Sequence, residues 1–420
     1  MDFVRTFDYR KNWFFPLLIL AGLIWLVEPQ TNIADIPAVG KLVRPAAGLA
    51  ALLSLSAIAT VVAALALSPL LDRSPAAARA LRWAGYALII AFFLFMPLYV
   101  EKIPHASMLK MTVAIQFMIV IVGINLLTGF GGQISLGQSA FFAIGGYTLG
   151  IGFRQWEMPW GWSLLIAPLL AGVAGFLIGI PALRFKGPYL ALATLSLAVT
   201  VTPLAKKFEH YTGGVQGVSM FGKLNIPFWE TNPDRFFYYL TAVLALLVFV
   251  LAANIRRGRF GRALIAIRDN ETAAAAMGVN VALYKMTVFG IAGAFAGLAG
   301  ALNGVVIQFV SPDQYSVLLS IRFLVGAVIG GVATINGAIV GGLFQQFVPD
   351  VTVSINKSAP DAIQAAILIV FMYVMRHGVV GFLEQTWRYA RSGMRMRKPA
   401  AAQEAAAIAG RPGEAGAGRS

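Results

Sequence analysis

Five polar side chains interrupt a strongly apolar, glycine-rich stretch of the chain, and they are Asn125, Gln133, Ser135, Gln138 and Ser139. Amides and hydroxyls can replace water around a small polar solute without holding it by a full charge. Glycines break helices and free backbone groups, which can then line a path through a membrane. The stretch is therefore a candidate translocation pathway. Hydrogen bonding between neighbouring helices, the usual role of such side chains in membranes, is the alternative and stays open for each residue.

Arg322 is the one strong charge well inside an apolar run, five residues from the start of the segment Val317–Gly331. A charge at membrane depth is a functional hypothesis by default, and here it would be a counter-ion for a solute carboxylate. The alternative is that the side chain snorkels to the outer interface, which this depth slightly favours.

Other reactive groups are scarce. The chain has no cysteine, and its histidines, His105, His210 and His377, lie far apart, so we predict no thiolate or metal site. The pattern G-x-x-x-x-G-K-[ST] is absent, so the chain is not expected to bind and hydrolyse ATP through a P-loop of its own. We predict neither an enzyme nor a cofactor bound by this chain.

The elements that must position these residues belong to a membrane protein. Of the 420 residues, 58% are hydrophobic and only 12% are charged, whereas soluble domains carry about 25% charged residues. We predict an all-α polytopic fold with roughly 10–12 transmembrane or half-membrane helices of about 20 residues or fewer. The net charge of +15 is interpreted as cytoplasmic basic loops and not as a nucleic-acid surface.

The sequence predicts that the chain divides into three regions. Residues 1–80 form a predicted N-terminal extension with two spans, residues 81–385 a glycine-rich core, and residues 386–420 a basic and then disordered tail. Placing both termini in the cytoplasm puts most lysines and arginines inside, as the positive-inside rule requires. The loop 254–285, with its arginine cluster, then lies in the cytoplasm.

The apolar segments differ in length. Gly131–Phe153 and Met286–Phe309 each run as one apolar segment. Pro188–Pro203, Val317–Gly331 and Gly337–Val348 are shorter than an upright span, and they predict half-helices or re-entrant elements, with tilted spans as the alternative. Glycines at three- and four-residue intervals within Met286–Phe309 predict close helix packing, and they are Gly293, Gly297, Gly300 and Gly304.

The loop 254–285 contains its own predicted helix. Asp269 and Asn270 are good N-cap residues, Glu271 places an anion in the first turn, and Gly278 is a natural stop after "ETAAAAM". A helix of about two turns is marginal alone in water. We therefore expect its small alanine surface to dock into a groove on a partner.

This loop, "GRFGRALIAIRDNETAAAAMGVNVALYKM", resembles the cytoplasmic coupling loop of ATP-binding cassette importer permeases. More narrowly, it is similar to that of the branched-chain amino acid permeases, the LivM-type membrane subunits. The matching residues are Gly261, Arg262, Arg268, Asp269, Asn270, Glu271 and Gly278. The resemblance implies that the short helix sits in a cleft of an ATPase subunit and carries ATP-driven motion into the membrane.

Four further stretches resemble the same family in the same order. They are "GINLLTGFGGQISLGQSAFFAIGGYTLG", "LRFKGPYLALATLSLA", "YTGGVQGVSM" and "FVSPDQYSVLLSI", and with the loop they cover roughly residues 85 to 385, the predicted permease core. The chain departs from the family at Ala333, where many relatives carry glycine, at Thr334, where serine is common, and at Arg322. These departures bear on the solute more than on the mechanism.

The resemblance implies a permease subunit in the inner membrane of a bacterium, moving leucine, isoleucine and valine. It also implies a second, LivH-like permease subunit, two ATPase subunits that bind ATP-Mg, and a periplasmic substrate-binding protein. Urea, short amides or aromatic acids are alternative solutes of the same kind of importer. An ion-coupled secondary transporter and a non-transporting scaffold are further alternatives, although the proposed spans hold no acidic residue for proton coupling.

Overall fold

The computed structural model describes residues 105–185, 187–220 and 233–355, together with Ile369 and Gly378. The predicted extension 1–80 and the predicted tail 386–420 lie outside the described residues. Within these ranges the chain is almost entirely helical. The helices are α1 (His105–Ile124), α2 (Gln138–Trp156), α3 (Trp160–Ala182), α4 (Pro188–Lys207), α5 (Glu209–Thr212), α6 (Pro233–Arg257), α7 (Arg259–Asp269), α8 (Glu271–Ala276), α9 (Val281–Ile307), α10 (Val317–Gly330) and α11 (Gly337–Ile355).

Shorter elements complete the described residues. A π-helix, Asn125–Phe130, continues α1, and 3₁₀ turns lie at Gly214–Gln216 and Pro312–Tyr315. Two strands, β1 (Val218–Ser219) and β2 (Phe309–Val310), pair antiparallel, with Val218 opposite Val310. The structure thus joins the stretch "YTGGVQGVSM", which contains Val218, to the stretch "FVSPDQYSVLLSI", which contains Val310. In the sequence these were separate motifs.

Five helices are long and apolar enough to cross a membrane, namely Met108–Phe130, α3, α4, α6 and α9. The prediction of an all-α polytopic membrane protein is confirmed. On α3, residues at four-residue intervals point outward as a continuous apolar stripe, formed by Leu165, Leu169, Val173 and Leu177. Such a stripe suits contact with lipid chains, while the opposite face packs against the core.

Two of the short segments are longer than the sequence indicated, which favours the tilted spans over the half-helices. Pro188–Pro203 continues to Lys207, so α4 has 20 residues. Gly337–Val348 extends to Ile355, giving α11 19 residues with Pro349 inside it. Within the apolar segment Gly131–Phe153 the helix begins only at Gln138, which leaves a break where the glycines predicted one. Composition marks where a run is apolar, whereas helix ends depend on backbone hydrogen bonds that neighbouring elements supply.

The short segment Val317–Gly331 behaves as predicted, since α10 has only 14 residues. At a rise of 1.5 Å per residue it spans about 21 Å, less than the roughly 30 Å hydrocarbon core. It packs against α11, where Gly330 meets Gly337 and Gly326 meets Gly341 backbone to backbone. The two helices form a tight pair around the turn 331–336.

Helix α9 is the buried centre of the described residues, in contact with α2 and α3 along most of its length. Its glycines permit this, because a Cβ on Gly293 would lie 2.7 Å from the Ala171 carbonyl oxygen and one on Gly300 would collide with the Phe142 backbone. The predicted role of the glycine series in close packing is confirmed.

Helix α9 is long and apolar enough for its two ends to reach opposite sides of a membrane. Its 27 residues span about 40 Å, more than the roughly 30 Å hydrocarbon core. The loop with α7 and α8 precedes its first residue, and the β1–β2 pair follows its last. A salt bridge between Lys206 and Asp313, with Nζ and Oδ1 2.8 Å apart, lies on the β1–β2 side.

Candidate functional site

The loop between α6 and α9 folds as two helices, where the sequence predicted one. Asn270 separates them: its Oδ1 accepts a hydrogen bond from the Ala273 N–H at 3.0 Å, which caps the start of α8. The predicted N-cap at Asn270 is confirmed, whereas Asp269 is the last residue of α7 and not a cap. Helix α7 was missed, although the apolar spacing of Phe260, Leu264 and Ile267 is typical of an amphipathic helix.

Helix α8 ends as predicted. Gly278 adopts φ +83°, and its N–H donates to the Ala275 carbonyl at 3.0 Å, while the Val279 N–H donates to Ala274 at 3.1 Å. This pair of hydrogen bonds is a Schellman motif, which requires the left-handed residue that glycine supplies at little cost. Both ends of the six-residue helix are therefore fixed by local hydrogen bonds.

The outer surface of α8 is small and smooth. Ala274 alone of its alanines is buried, the other alanines are exposed, and Met277 is 85% exposed just beyond the helix. On α7, Gly261 is buried because a Cβ there would collide with the Arg256 backbone, while Arg262 is exposed and donates to the Arg257 carbonyl at 3.2 Å. The surface that the loop presents combines an alanine knob with a rim of arginines.

Two side-chain contacts connect this loop to the membrane helices. Glu271 of α8 pairs with Lys285 in the second turn of α9, with Oε1 and Nζ 2.9 Å apart and Lys285 only 7% exposed. Arg268 of α7 donates from Nη1 to the Gly129 carbonyl at 2.7 Å. Sequence reasoning missed Lys285, because it stands just before the apolar segment Met286–Phe309 and only the structure places it within α9.

The polar residues proposed from the sequence divide between two places. Asn125 lies at the start of the π-helix and donates from Nδ2 to the Thr334 carbonyl at 2.8 Å. Gln133 lies next to the π-helix, because its backbone carbonyl accepts a hydrogen bond from the hydroxyl of Thr128 at 3.0 Å. The π-helix itself was not predicted, and such helices often occur at functional sites.

The other three polar residues, Ser135, Gln138 and Ser139, lie close together at the start of α2. The Ser139 N–H donates to the Ser320 hydroxyl, which donates in turn to the Ser139 hydroxyl, both at 2.8 Å. Ser135 accepts from the Gly137 N–H at 3.3 Å, and the Leu136 N–H donates to the Thr194 hydroxyl at 2.9 Å. Thr194 and Ser320 were missed, because only the fold brings α4 and α10 to this break.

Gln138 differs from its neighbours. It is fully buried, and neither atom of its amide finds a hydrogen-bond partner within the part of the chain that the structure describes. Buried amides are nearly always paired, so this residue calls for an explanation. All five polar residues are shielded from the surface of this chain, and Asn125 and Ser139 make the inter-element hydrogen bonds that were the alternative to a pathway role.

An apolar cleft of about 250 Å³ opens between the π-helix and α10. Its walls are Ile124, Asn125, Thr128, Ile134, Leu324, Ala327, Val328 and Val332. On the same helix, Arg322 is exposed, as are Leu318 and Ile321. Arg322 is therefore on the outer surface of the described residues and not among the buried polar groups.

The residues that form the loop, the break and the cleft all fall inside one family match. The model of the family described as branched-chain amino acid transport system, permease component, matches residues 108–375. The chain belongs to this permease family. The resemblance found in its motifs is thereby confirmed, and so is its place among the LivM-type members.

Named relatives show how far the similarity extends. The permease is 32% identical over 246 residues to the high-affinity branched-chain amino acid transport system permease protein LivM of Escherichia coli, which covers 53% of this chain and 58% of that protein. It is 23% identical over 286 residues to LivH of Escherichia coli, covering 64% and 92%. The chain thus spans less than two thirds of the LivM relative. No solved structure matches it.

Proposed function

We propose that this permease is the membrane-spanning subunit of an ATP-binding cassette importer that moves leucine, isoleucine and valine across the bacterial inner membrane. The observation that carries the proposal is α8, a capped helix with an exposed alanine surface that is joined to a membrane helix by the Glu271–Lys285 pair. A six-residue helix exposed in this way has little to stabilise it in water alone, which favours a protein groove as its environment.

Partners follow from the same reasoning. Two ATPase subunits would bind ATP-Mg and receive α8 of each permease. The chain is similar to both LivM and LivH of one bacterium, which supports pairing with a second, LivH-like permease. A periplasmic binding protein would deliver the solute. In this arrangement the loop side of α9, rich in arginine, is cytoplasmic, both termini are cytoplasmic, and the β1–β2 pair faces the periplasm.

The cleft and Arg322 are the proposed solute contacts. Ser320 bonds to Ser139 in the first turn of α2, and Thr194 accepts from the Leu136 N–H just before that turn, so Ser320 and Thr194 lie at similar depth. Lys206, the partner of Asp313, is 12 residues further along α4 than Thr194, about 18 Å nearer the proposed periplasmic end. That distance exceeds an arginine side chain and supports a place for Arg322 near mid-membrane, where a carboxylate would pair with it.

Replacing Arg322 with glutamine tests this contact. If Arg322 receives the solute carboxylate, Arg322→Gln should raise the half-saturating solute concentration about tenfold, the loss of one charge-assisted hydrogen bond. Initial uptake rates measured across leucine concentrations give this value. Lys110→Gln, on α1 about 21 Å along the helix from the cleft residue Ile124, serves as the control. Unchanged kinetics in Arg322→Gln would remove the residue from the pathway.

Solute and docking can be tested together in the bacterium that encodes the chain. Deleting the gene should abolish uptake of labelled leucine, and restoring it should recover uptake that excess urea leaves unaffected. Gly278→Pro and Glu271→Lys should leave the protein in the membrane yet fail to restore uptake, because both disrupt α8. Leucine uptake that survives deletion would redirect the search to amides and aromatic acids. Full uptake with either loop variant would contradict docking through α8.

A further inference from the structure

The π-helix Asn125–Phe130 ends at a break in the membrane core, and the loop with α7 and α8 contacts that break directly. After Phe130 the chain runs without helix from Gly131 to Gly137 before α2 begins. Two basic side chains from the loop region reach the π-helix: Arg256 lies over the Phe130 ring at 5.3 Å, and Arg268 donates to the Gly129 carbonyl at 2.7 Å.

We propose that Arg268 is a positioning residue that carries movement of the docking loop into the broken helix, and not a contact to the ATPase subunit. This role rests on the proposed function, since it requires that α8 moves with a partner. The family motif places Arg268 beside the docking helix. Its Nη1, however, donates to the Gly129 carbonyl of the π-helix, while Nε lies 3.4 Å from Asp269 Oδ1 on the exposed side.

The contact combines two interactions that suit arginine. The last carbonyls of a helix lack intrahelical donors, and the Arg268 guanidinium supplies one to Gly129. The aliphatic stem lies against Gly132, where a Cβ would be 2.6 Å from Arg268 Cγ. Gly132 has φ +67°, so the chain turns at the point where the stem lies. A shift of α7 would therefore move both the end of the π-helix and the turn after it.

From the π-helix the connection continues to the cleft. Gly129 packs on the Ala333 backbone so closely that a Cβ would collide with it, and Asn125 donates to the Thr334 carbonyl at 2.8 Å. These contacts join the π-helix to the turn 331–336 between α10 and α11. The π-helix, α10 and Val332 of this turn all line the cleft. Movement at Arg268 would thus change the width of the cleft.

The second link between the loop and the membrane helices, the Glu271–Lys285 pair, joins the loop to a continuous helix and not to a broken one. Glu271 pairs with Lys285 on α9, and α9 is held by glycine contacts to α2 and α3 along its length. Helix α9 continues unbroken through 27 residues, whereas a π-helix followed by a stretch without helix is a place where the chain can bend. The broken helix is the deformable element, and Arg268 is its connection to the loop.

The test uses the whole importer, purified with its ATPase subunits and reconstituted in liposomes with the binding protein. Arg268→Met keeps the stem over Gly132 and removes the donor, while Arg268→Lys restores a donor. The measured quantity is labelled leucine transported per ATP hydrolysed. Lys207→Gln is the control, because Lys207 is an exposed basic residue at the end of α4, outside the loop and the cleft.

We expect ATPase subunits to co-purify normally with Arg268→Met. Leucine transported per ATP hydrolysed should fall about tenfold, which is within the range of fold-changes typical of coupling between two sites. Arg268→Lys should recover most of the ratio, and Lys207→Gln should leave it unchanged. If Arg268→Met fails to accumulate, Arg268→Leu, which also lacks a donor, carries the same expectation.

Other results would overturn the proposal. A wild-type ratio in Arg268→Met would show that the bond carries no movement. An equal loss in the methionine and lysine variants would show that the donor is irrelevant. Loss of ATPase subunits on purification would make Arg268 a docking residue. A wild-type complex that binds no ATPase subunit, or transports no leucine, would contradict the proposed function itself and is recognised before any variant is compared.

Discussion

At the scale of single residues, Ala333 holds a backbone conformation that suits glycine. Its φ is +66°, in the left-handed region that costs an L-residue roughly 1–2 kcal/mol relative to glycine. The position lies in the turn 331–336, against Gly129 of the π-helix. It is also a position at which the chain departs from its relatives, many of which carry glycine there. The departure thus leaves strain beside the cleft.

Ala333→Gly should relieve this strain. The gain is partly offset by the greater freedom of glycine in the unfolded chain, so we expect stabilisation of about 0.5–1 kcal/mol. Thermal unfolding of the purified protein in detergent measures the change. Ala242→Gly, in the interior of α6, is the control and should destabilise by about 1 kcal/mol, since glycine is unfavourable within a helix. Equal destabilisation by both substitutions would mean that Ala333 is unstrained.

At the scale of elements, the Glu271–Lys285 pair is the main connection between α8 and α9. Lys285 is nearly buried, while Glu271 retains 37% of its side-chain exposure. A buried ammonium needs a partner, because an unpaired charge away from water is costly. The pair therefore fixes where the docking helix lies relative to the membrane helix that follows it, although the loop backbone alone would allow many positions.

Glu271→Gln should leave Lys285 without its counter-charge and destabilise the protein by about 2 kcal/mol, between the values for exposed and buried pairs. The double variant Glu271→Gln/Lys285→Met should recover most of this loss, since no buried charge remains. Asp269→Asn is the matched control: Asp269 pairs with Arg268 at 3.4 Å in an exposed position, and its effect should be small. Thermal unfolding in detergent compares all four proteins. A double variant no more stable than Glu271→Gln would contradict the account.

At the scale of the whole molecule, the proposed orientation sets the two ends of α9 in different compartments. The loop would be cytoplasmic and the β1–β2 side periplasmic. The chain contains no cysteine, so a single introduced cysteine reports on one position alone. Met277 is 85% exposed in the loop, and Val215 is 67% exposed near β1.

Val215→Cys should react with a membrane-impermeant maleimide in intact spheroplasts, whereas Met277→Cys should react only after the membrane is opened. With ATPase subunits bound, Met277→Cys should react more slowly, because α8 would then be covered. The cysteine-free parent is the control for background labelling. Reaction of Met277→Cys in sealed spheroplasts would invert the topology and place α8 away from any cytoplasmic ATPase.

Much of this molecule could be predicted from its residue types. The apolar segments, the basic loop, the Asn270 cap, the Gly278 stop and the α9 glycines all follow from local rules, since hydropathy and capping depend on a few neighbouring residues. The motifs also identified the family. These features survive in any fold that the chain adopts within a membrane.

The tertiary structure decided what the polar residues contact. Asn125 and Ser139 bond to Thr334 and Ser320, about 200 residues away in sequence, and Arg268 reaches the π-helix from 139 residues away. No local pattern encodes such pairs, because they depend on which helices pack together and at what depth. The sequence by itself therefore determined a membrane permease with a short capped helix in a basic loop. Only the packing of its helices decided that this loop and the cleft meet at one broken helix.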